Sequence, residues 1–355
     1  MSRASAEARA LVEVRAEGLY CPPGGFFVDP VRTVDKALIT HGHSDHARAG
    51  HQAVLATAET LAIMKIRYGE NFAPNSEPAA YGDVKRIGDV DVRFVPAGHV
   101  LGSAQIVIER EGARVVISGD YKRRDDPTCS PFEPVKCDVF ITEATFALPV
   151  FRHPPFADEL AKLLQSRTLF PERTHLVGAY ALGKAQRVIA GLRAEGYDAP
   201  IYIHGALERL CAMYEGFGVS LGDVRLVTGA SKAELEGAVA IAPPSALQDR
   251  WTRRLNDPVL SFASGWMGVR ARARQRGVEL PLVISDHADW DELTATLSEM
   301  QPAEIWITHG REDALQRWCA LNGITARALS LVGYEDEDGE AETDLPTPVS
   351  ETGAL

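Results

Sequence analysis

The sequence has few cysteines and no long apolar run, and each shortage excludes a class of protein. Its 355 residues include five cysteines, none in a Cys-x-x-Cys pair, which argues against a disulfide scaffold and favours a reducing compartment. No stretch of about 18 apolar residues occurs, and the first residues show no signal-peptide pattern. We therefore expect a cytoplasmic protein that does not enter a membrane.

Basic residues are also scarce. The chain has 37 Lys and Arg against 49 Asp and Glu, a net charge of −12, which by itself argues against binding nucleic acid through overall charge. However, eight acidic residues and no Lys or Arg follow residue 334, so residues 1–334 carry a net charge of −4. We predict an acidic disordered tail at residues 335–355.

Hydrophobic residues are present in ordinary proportion, at 45%, so the chain can build a sizeable core. Short strand-like runs end in polar clusters before residue 168 and again after residue 282. Between them, strands alternate with helices, two of which are predicted at 157–168 and 184–195, and this alternation predicts a parallel sheet. We predict an α/β protein whose first domain, residues 1–168 and 283–334, is interrupted by a second domain at residues 169–282.

The strongest chemical signal is the run His41-Gly42-His43-Ser44-Asp45-His46, which directly follows a predicted strand. A strand end and a tight turn can direct His41 and His43 to one metal ion, while Asp45 and His46 reach a second. Neutral imidazole and carboxylate are preferred ligands of Zn²⁺. A lone histidine is usually structural, but three histidines and an aspartate in this order are typical of a metal site.

Three more polar residues stand directly after predicted strands: His99 in PAGHVLGSA, Asp120 in VVISGDYK and His309 in IWITHG. The two carboxylate oxygens of Asp120 can bridge two cations. The alternative for His99, considered alone, is a structural role. The alternative for Asp120 is that of a turn or helix-capping residue.

The order H-x-H-x-D-H, then a lone His, then an Asp after a strand, resembles the metallo-β-lactamase family. Glu143 in ITEATF, His287 in SDHADW and His309 resemble motifs A, B and C of its β-CASP nuclease branch. The segments EGLYCPPGGFFVDP and YALGKAQRV resemble the bacterial ligase-associated DNA exonucleases. The resemblance covers roughly residues 14–330.

This resemblance implies an αββα metallo-β-lactamase sandwich with an inserted β-CASP α/β domain, and a site for two Zn²⁺ ions, with Mn²⁺ as the alternative. The implied ligands form two sets around a bridging Asp120: His41, His43 and His99 for one ion, and Asp45, His46 and His309 for the other. Asp29, in FFVDP, matches an acidic residue that orients the ligands from behind; its alternative role is that of a turn residue before a proline.

The implied reaction is hydrolysis of a phosphodiester bond by a hydroxide held between the two zinc ions. Asp45, Glu143 and His287 are the implied catalytic residues, with His287 as the general acid and Glu143 holding its ring. The leading interpretation is a DNA exonuclease acting on single-stranded ends in repair, associated functionally with a DNA ligase and a helicase. The alternatives are an RNA-processing β-CASP ribonuclease, a small-molecule hydrolase of the same fold and a non-catalytic binding module.

Two segments are candidate substrate contacts. Tyr180, Gly183 and Lys184 put a glycine turn and a lysine at a predicted helix start, where backbone N–H groups bind phosphate; the alternative is a loop glycine and a solvated lysine. Ser264 and Trp266 precede a basic run that could line a strand-binding groove, with Trp266 stacking on a base; the alternative is a solvated face. The basic run consists of Arg270, Arg272, Arg274 and Arg276.

Basic residues after Asp120 are expected to contact phosphate as well, namely Lys122, Arg123 and Arg124. The histidines outside the clusters are expected to be structural, namely His51, His153, His175 and His204.

Overall fold

The structure is a computed structural model that describes residues 3–308, 310 and 312–329. His309 and the tail predicted at 335–355 lie outside the described residues. The strands within them are β1 Glu13–Arg15, β2 Gly18–Cys21, β3 Phe26–Val28, β4 Lys36–Leu38, β5 Ala53–Thr57, β6 Asn75–Ala79, β7 Val84–Ile87, β8 Val90–Pro96, β9 Ala104–Arg110, β10 Ala113–Ile117, β11 Val139–Thr142, β12 His175–Gly178, β13 Ile201–Ile203, β14 Val224–Leu226, β15 Val239–Ala242, β16 Val259–Ala263, β17 Leu280–Leu282, β18 Glu304–Ile307 and β19 Thr325–Ala328. The α-helices are α1 Arg3–Arg9, α2 Ala58–Tyr68, α3 Phe156–Leu169, α4 Lys184–Ala194, α5 Glu208–Gly216, α6 Lys232–Leu235, α7 Arg270–Gln275, α8 Trp290–Met300 and α9 Glu312–Leu321.

Two sheets pack face to face around one apolar core. The first has the order β1-β2-β3-β4-β5-β6, and the second has the order β19-β18-β11-β10-β9-β8-β7. Apolar residues alternate along β8, so that Val90, Val92 and Phe94 point to one face and join Leu38 and Trp306 in the core between the sheets. The outer face of the first sheet packs on α2, and that of the second packs on α8 and α9.

A third sheet, with the order β14-β13-β15-β12-β16-β17, is parallel throughout. Its central strands β12 and β15 are buried along their whole length, as expected for a parallel sheet covered on both faces. Helices α3, α4 and α5 cover one face; short 3₁₀ turns and helix α7 lie on the other. We call residues 156–282 the third-sheet unit. The mixed α/β class and the parallel sheet are confirmed, whereas the predicted domain boundaries stay predictions.

The helices predicted at 157–168 and 184–195 are observed as α3 and α4. None of the described helices is both long enough and apolar enough to cross a bilayer. The loops that carry the candidate site follow β4, β8, β10, β11 and β17, so the carboxyl ends of strands from all three sheets meet at one place.

Candidate metal centre and active site

The carboxylate of Asp120 lies at the centre of the candidate site. Its Oδ2 atom is 3.4 Å from His41 Nε2, 3.5 Å from His46 Nε2, 3.8 Å from His99 Nε2 and 4.0 Å from His287 Nδ1. These five side chains come from four different loops, and each is at least nine-tenths buried. The structure brings these five predicted residues together, and their roles as metal ligands and catalytic groups stay predictions.

The donor atoms fit a metal ion. Within the described residues, His41, His43, His99 and Asp120 place one ligand atom each within 4.8 Å of one another. The Nε2 atom of His41 is buried without a hydrogen bond, and His43 Nδ1 faces His99 Nε2 at 2.9 Å. Two imidazole nitrogens that face each other around a carboxylate are a donor set suited to Zn²⁺.

The second predicted ligand set is described only in part. His46 Nε2 lies 3.4 Å from Asp45 Oδ2 as well as close to Asp120, but His309 is outside the described residues. The other group of metal-ligating type that the described residues form is Asp120 with Glu143 and His287. Both groups share Asp120, as a bridging carboxylate would.

Asp29 lies behind the ligands and fixes their orientation. Its Oδ1 accepts a hydrogen bond from the Thr40 backbone N–H at 2.8 Å, and its Oδ2 accepts from Thr40 Oγ1 at 2.5 Å and from His46 Nδ1 at 2.8 Å. It adopts the left-handed conformation, with φ 45°. On the opposite side, His99 Nδ1 donates to the Asp286 carbonyl at 2.8 Å. Such contacts set the histidine tautomer and increase ligand basicity.

His287 and Glu143 form a buried pair beside this centre. Glu143 Oε2 lies 2.9 Å from His287 Nδ1, and Glu143 Oε1 accepts from the Tyr121 N–H at 2.7 Å. Because both of its carboxylate oxygens are engaged, Glu143 holds the Nδ1 edge of the His287 ring in place.

Burial and close charges shift the pKa values in opposite directions. Burial, with neighbouring His46, lowers the pKa of His41 well below its ordinary value. Burial also opposes the charge of His46, but Asp45 and Asp120 outweigh it and hold the pKa of His46 well above its usual range. Burial raises the pKa of Glu143, although His287 opposes the shift. In the metal-free protein His41 is therefore neutral, as a metal ligand must be.

Several known proteins are similar in sequence to this chain. No family model matches the chain. It is 27% identical to a probable DNA ligase of Opitutus terrae, over 93% of this chain and 32% of that protein. It is 31% identical to endoribonuclease ysh-1 of Neurospora crassa, over 58% of this chain and 29% of that protein, and 30% identical to ribonuclease TTHA0252 of Thermus thermophilus, over 54% and 51%. The chain thus spans only 32% and 29% of the length of the first two of these curated relatives, and 51% of the length of the third.

These relatives confirm the resemblance of the chain to the β-CASP metallo-β-lactamase nucleases. A protein of unknown function from Enterococcus faecalis V583 has a similar fold, with a TM-score of 0.53 and 11% identity over 77% of this chain and 74% of that one.

The segment from Tyr180 to Lys184 packs directly on the loops that carry His43 and His99. Gly183 has φ 85° and caps α4, and a Cβ atom there would lie 2.4 Å from Val100 Cγ1. The Leu182 carbonyl is 3.4 Å from His43 Nε2. The segment therefore supports a candidate metal ligand, and its predicted contact with phosphate stays a prediction.

Sequence reasoning missed a buried ion cluster formed by Lys122, Asp126, Lys184, Arg187 and Asp286. Lys122 Nζ is 2.6 Å from Asp126 Oδ2, and Arg187 Nη1 is 2.9 Å from Asp286 Oδ1. Arg187 Nε also lies 3.3 Å from Asp126, and Lys184 Nζ lies 3.5 Å from Asp286. Burial opposes ionisation of Asp286, but the three cations outweigh it and lower its pKa. No local motif predicts this cluster, because it is assembled from three separate segments of the chain, at residues 122–126, 184–187 and 286.

The structure corrects the prediction that the basic residues after Asp120 are available to contact phosphate. Lys122 is fully buried and bonded to Asp126 instead of facing phosphate. Arg123 pairs with Glu299 at 2.7 Å, and Arg124 pairs with Asp289. None of the three is an unpaired surface cation.

Ser264 and Trp266 lie at the edge of the site. Ser264 Oγ accepts from the Trp266 N–H at 3.2 Å. The Trp266 ring packs on Phe146, with centroids 4.8 Å apart, and Phe146 lies 6.2 Å from the His287 ring. Trp266 is thus one ring away from His287, and its stacking on a base stays a prediction.

Three of the four remaining histidines have local structural contacts. His51 Nδ1 accepts from the Val34 N–H, His175 hydrogen bonds to Ser166, and His204 caps a 3₁₀ turn. The fourth, His153, packs on Phe146 at 4.6 Å and therefore lies beside the site, which its isolated position in the sequence did not indicate.

Proposed function

We propose that this protein is a metal-dependent DNA exonuclease that hydrolyses phosphodiester bonds at single-stranded ends during repair in the cytoplasm. The observation that carries the proposal is the convergence of four imidazoles on the buried Asp120 carboxylate. Similarity over 93% of the chain to a protein named as a probable DNA ligase favours DNA. The proposed architecture is the αββα sandwich with the third-sheet unit as the inserted β-CASP domain, which the packing of the first two sheets supports.

The proposed metal ligands are those named from the sequence, with His41, His43 and His99 around one Zn²⁺ ion, and with Asp45, His46 and His309 around the other. When bound, two divalent cations stabilise negative charge on the phosphate and increase the acidity of water at the site. Mn²⁺, the alternative ion, suits the carboxylate and water ligands of such a site.

The chain's own residues supply positioning and a proton. Glu143 holds His287 through Nδ1, so His287 Nε2 is the atom that delivers a proton to the leaving oxygen. Asp29 and the Asp286 carbonyl keep His46 and His99 in fixed orientations. Because these groups are buried and fixed, little reorganisation is needed as charge develops in the transition state.

The partners follow from the relatives. The O. terrae relative is itself named as a probable DNA ligase, and the chain matches 32% of it. We infer that this protein acts together with a DNA ligase, and association with a helicase remains a further expectation.

The second candidate is an RNA-processing ribonuclease, because two relatives at 30% and 31% identity are named as ribonucleases. Parallel digestion of end-labelled DNA and RNA of the same sequence distinguishes the DNA exonuclease from the ribonuclease. Each digestion is carried out with Zn²⁺ and with Mn²⁺. We expect faster cleavage of DNA, released from an end as mononucleotides or short fragments. Faster turnover of RNA, or internal cleavage alone, would overturn the proposal. Far fewer than two metal ions per chain would favour a non-catalytic module.

A further inference from the structure

Seven exposed arginines on the third-sheet unit have no acidic partner among the described residues. Within that part of the chain, none of them forms an ion pair or a side-chain hydrogen bond. We call them the arginine face: Arg250, Arg253, Arg254, Arg270, Arg272, Arg274 and Arg276.

The local charge of this surface is opposite to that of the whole molecule. Residues 244–279 contain seven arginines and three acidic residues in a chain of net charge −12. Two of the acidic residues, Asp257 and Glu279, are engaged by Arg173 at 3.1 and 3.0 Å. The arginine face is therefore a local positive patch, which attracts a polyanion despite the acidic total.

The spacing along α7 keeps like charges close together. Arg270 and Arg274 are four residues apart, as are Arg272 and Arg276, and like charges at this spacing destabilise a helix. A bound anion would relieve this repulsion.

Both arginine-bearing segments lie next to Leu247. Leu247 packs against the buried cluster that includes Phe262 and Met267, and also against the cluster that includes Leu255. The 3₁₀ turn Arg250–Arg254 and helix α7 therefore lie on either side of Leu247.

Aromatic rings join this surface to the candidate active site. The Arg272 guanidinium lies 3.9 Å over the Trp266 ring, Trp266 packs on Phe146, and Phe146 approaches His287. Arg276 lies 4.6 Å over the Phe262 ring. Trp266 and Arg272 therefore lie two ring contacts away from His287.

We propose that the arginine face binds the sugar–phosphate backbone of the single-stranded substrate, several nucleotides away from the bond that is cut. This inference rests on the proposed function and adds to it a second, sequence-independent contact with the strand. It makes binding dependent on strand length and on salt, whereas hydrolysis of a minimal phosphodiester does not involve the face.

The test compares R270Q/R272Q/R274Q/R276Q with the control R86Q/R110Q/R209Q/R317Q, which removes the same charge from exposed arginines elsewhere. Binding of fluorescent oligodeoxythymidylate of about 20 nucleotides, and of the matching ribo-oligonucleotide, is measured by anisotropy in metal-loaded protein that carries H287A, over a range of salt concentrations. Each lost phosphate contact flattens the logarithmic salt dependence by about 0.7 for single strands. We expect the first variant to bind at least about tenfold more weakly with a slope flatter by about 2–3, and the control to change little.

Hydrolysis of bis(p-nitrophenyl) phosphate is measured in parallel, in the wild type and in the two arginine variants carrying His287, and should be equal in both variants. Equal binding and equal slopes in the two variants would overturn the role of the arginine face, even if the wild-type protein cleaves DNA. Failure of the wild-type protein to cleave any phosphodiester would count against the proposed function alone, because the binding comparison does not depend on cleavage.

Discussion

Asp29 is the residue whose single side chain orients both the end of strand β4 and the candidate ligand His46. Replacing it with Asn keeps the size but removes the charge, and introduces an N–H donor opposite His46 Nδ1. We expect Asp29→Asn to remain folded and to bind Zn²⁺ about 10–100-fold more weakly. Competition with a chromophoric chelator measures this, with the exposed Asp35→Asn as control; equal affinities would remove Asp29 from the support of the site.

His287 can be separated from the metal ligands by its effect on activity. We expect His287→Ala to keep the metal content of the wild type but to cleave DNA about 10²–10⁴-fold more slowly, as for loss of a general acid. Elemental analysis and a labelled-DNA assay measure both quantities. His204→Ala, which alters a turn cap outside the site, serves as the control. Normal turnover in His287→Ala would show that another group donates the proton.

At the scale of single residues, the sequence predicts those site residues that lie close together along the chain. Three histidines and an aspartate fall within six positions, so their common site can be recognised without any knowledge of the fold. Asp286 and Arg187 give no such signal, since each is an ordinary charged residue until the chain brings them to 2.9 Å. The true surroundings of Lys122 were missed for the same reason.

Gly183 is the point at which helix α4 approaches the loop that carries His99. An alanine there would suffer two penalties: the left-handed backbone, about 1–2 kcal/mol, and a clash with Val100. Gly196 has a similar φ of 80°, but a Cβ atom at that position would have no described neighbour within 4 Å, so Gly196→Ala suffers only the first.

We expect Gly183→Ala to lower the free energy of unfolding by about 1–3 kcal/mol more than Gly196→Ala does. Urea denaturation of both variants measures the difference. An equal decrease in the free energy of unfolding of the two variants would mean that Val100 can move to accept the added methyl group.

Among the elements, those with clear periodicity follow the sequence closely. Helix α4 begins at the glycine turn, and the largely apolar runs of β12 and β15 become central parallel strands. The order of strands within each sheet could not be predicted, because it depends on pairings such as β11 with β18, whose partners lie about half the chain apart.

Charge at the scale of the whole molecule is divided between an acidic tail and a basic patch, so the net value of −12 misleads when it is read alone. Removing residues 335–355 leaves a net charge of −4. We expect this deletion to strengthen binding of single-stranded DNA at low salt, with the difference vanishing near 1 M salt, where charges are screened within about 3 Å.

Anisotropy titrations at several salt concentrations check this expectation. The control keeps the tail length but replaces its Asp and Glu with Asn and Gln, and it should behave like the deletion. If the deletion binds like the full chain, the tail has no electrostatic role.

The contacts between the third-sheet unit and the loops that carry His43 and His99 also limit how the molecule can move. The Leu182 carbonyl touches His43, Gly183 rests on Val100, and the buried ion cluster joins α4 to the loops on either side of the site. Swinging the unit away would separate several buried charges from their partners, which is costly, and would disturb candidate metal ligands at the same moment. For the proposed reaction we therefore expect the third-sheet unit and the loops that carry His43 and His99 to stay together throughout.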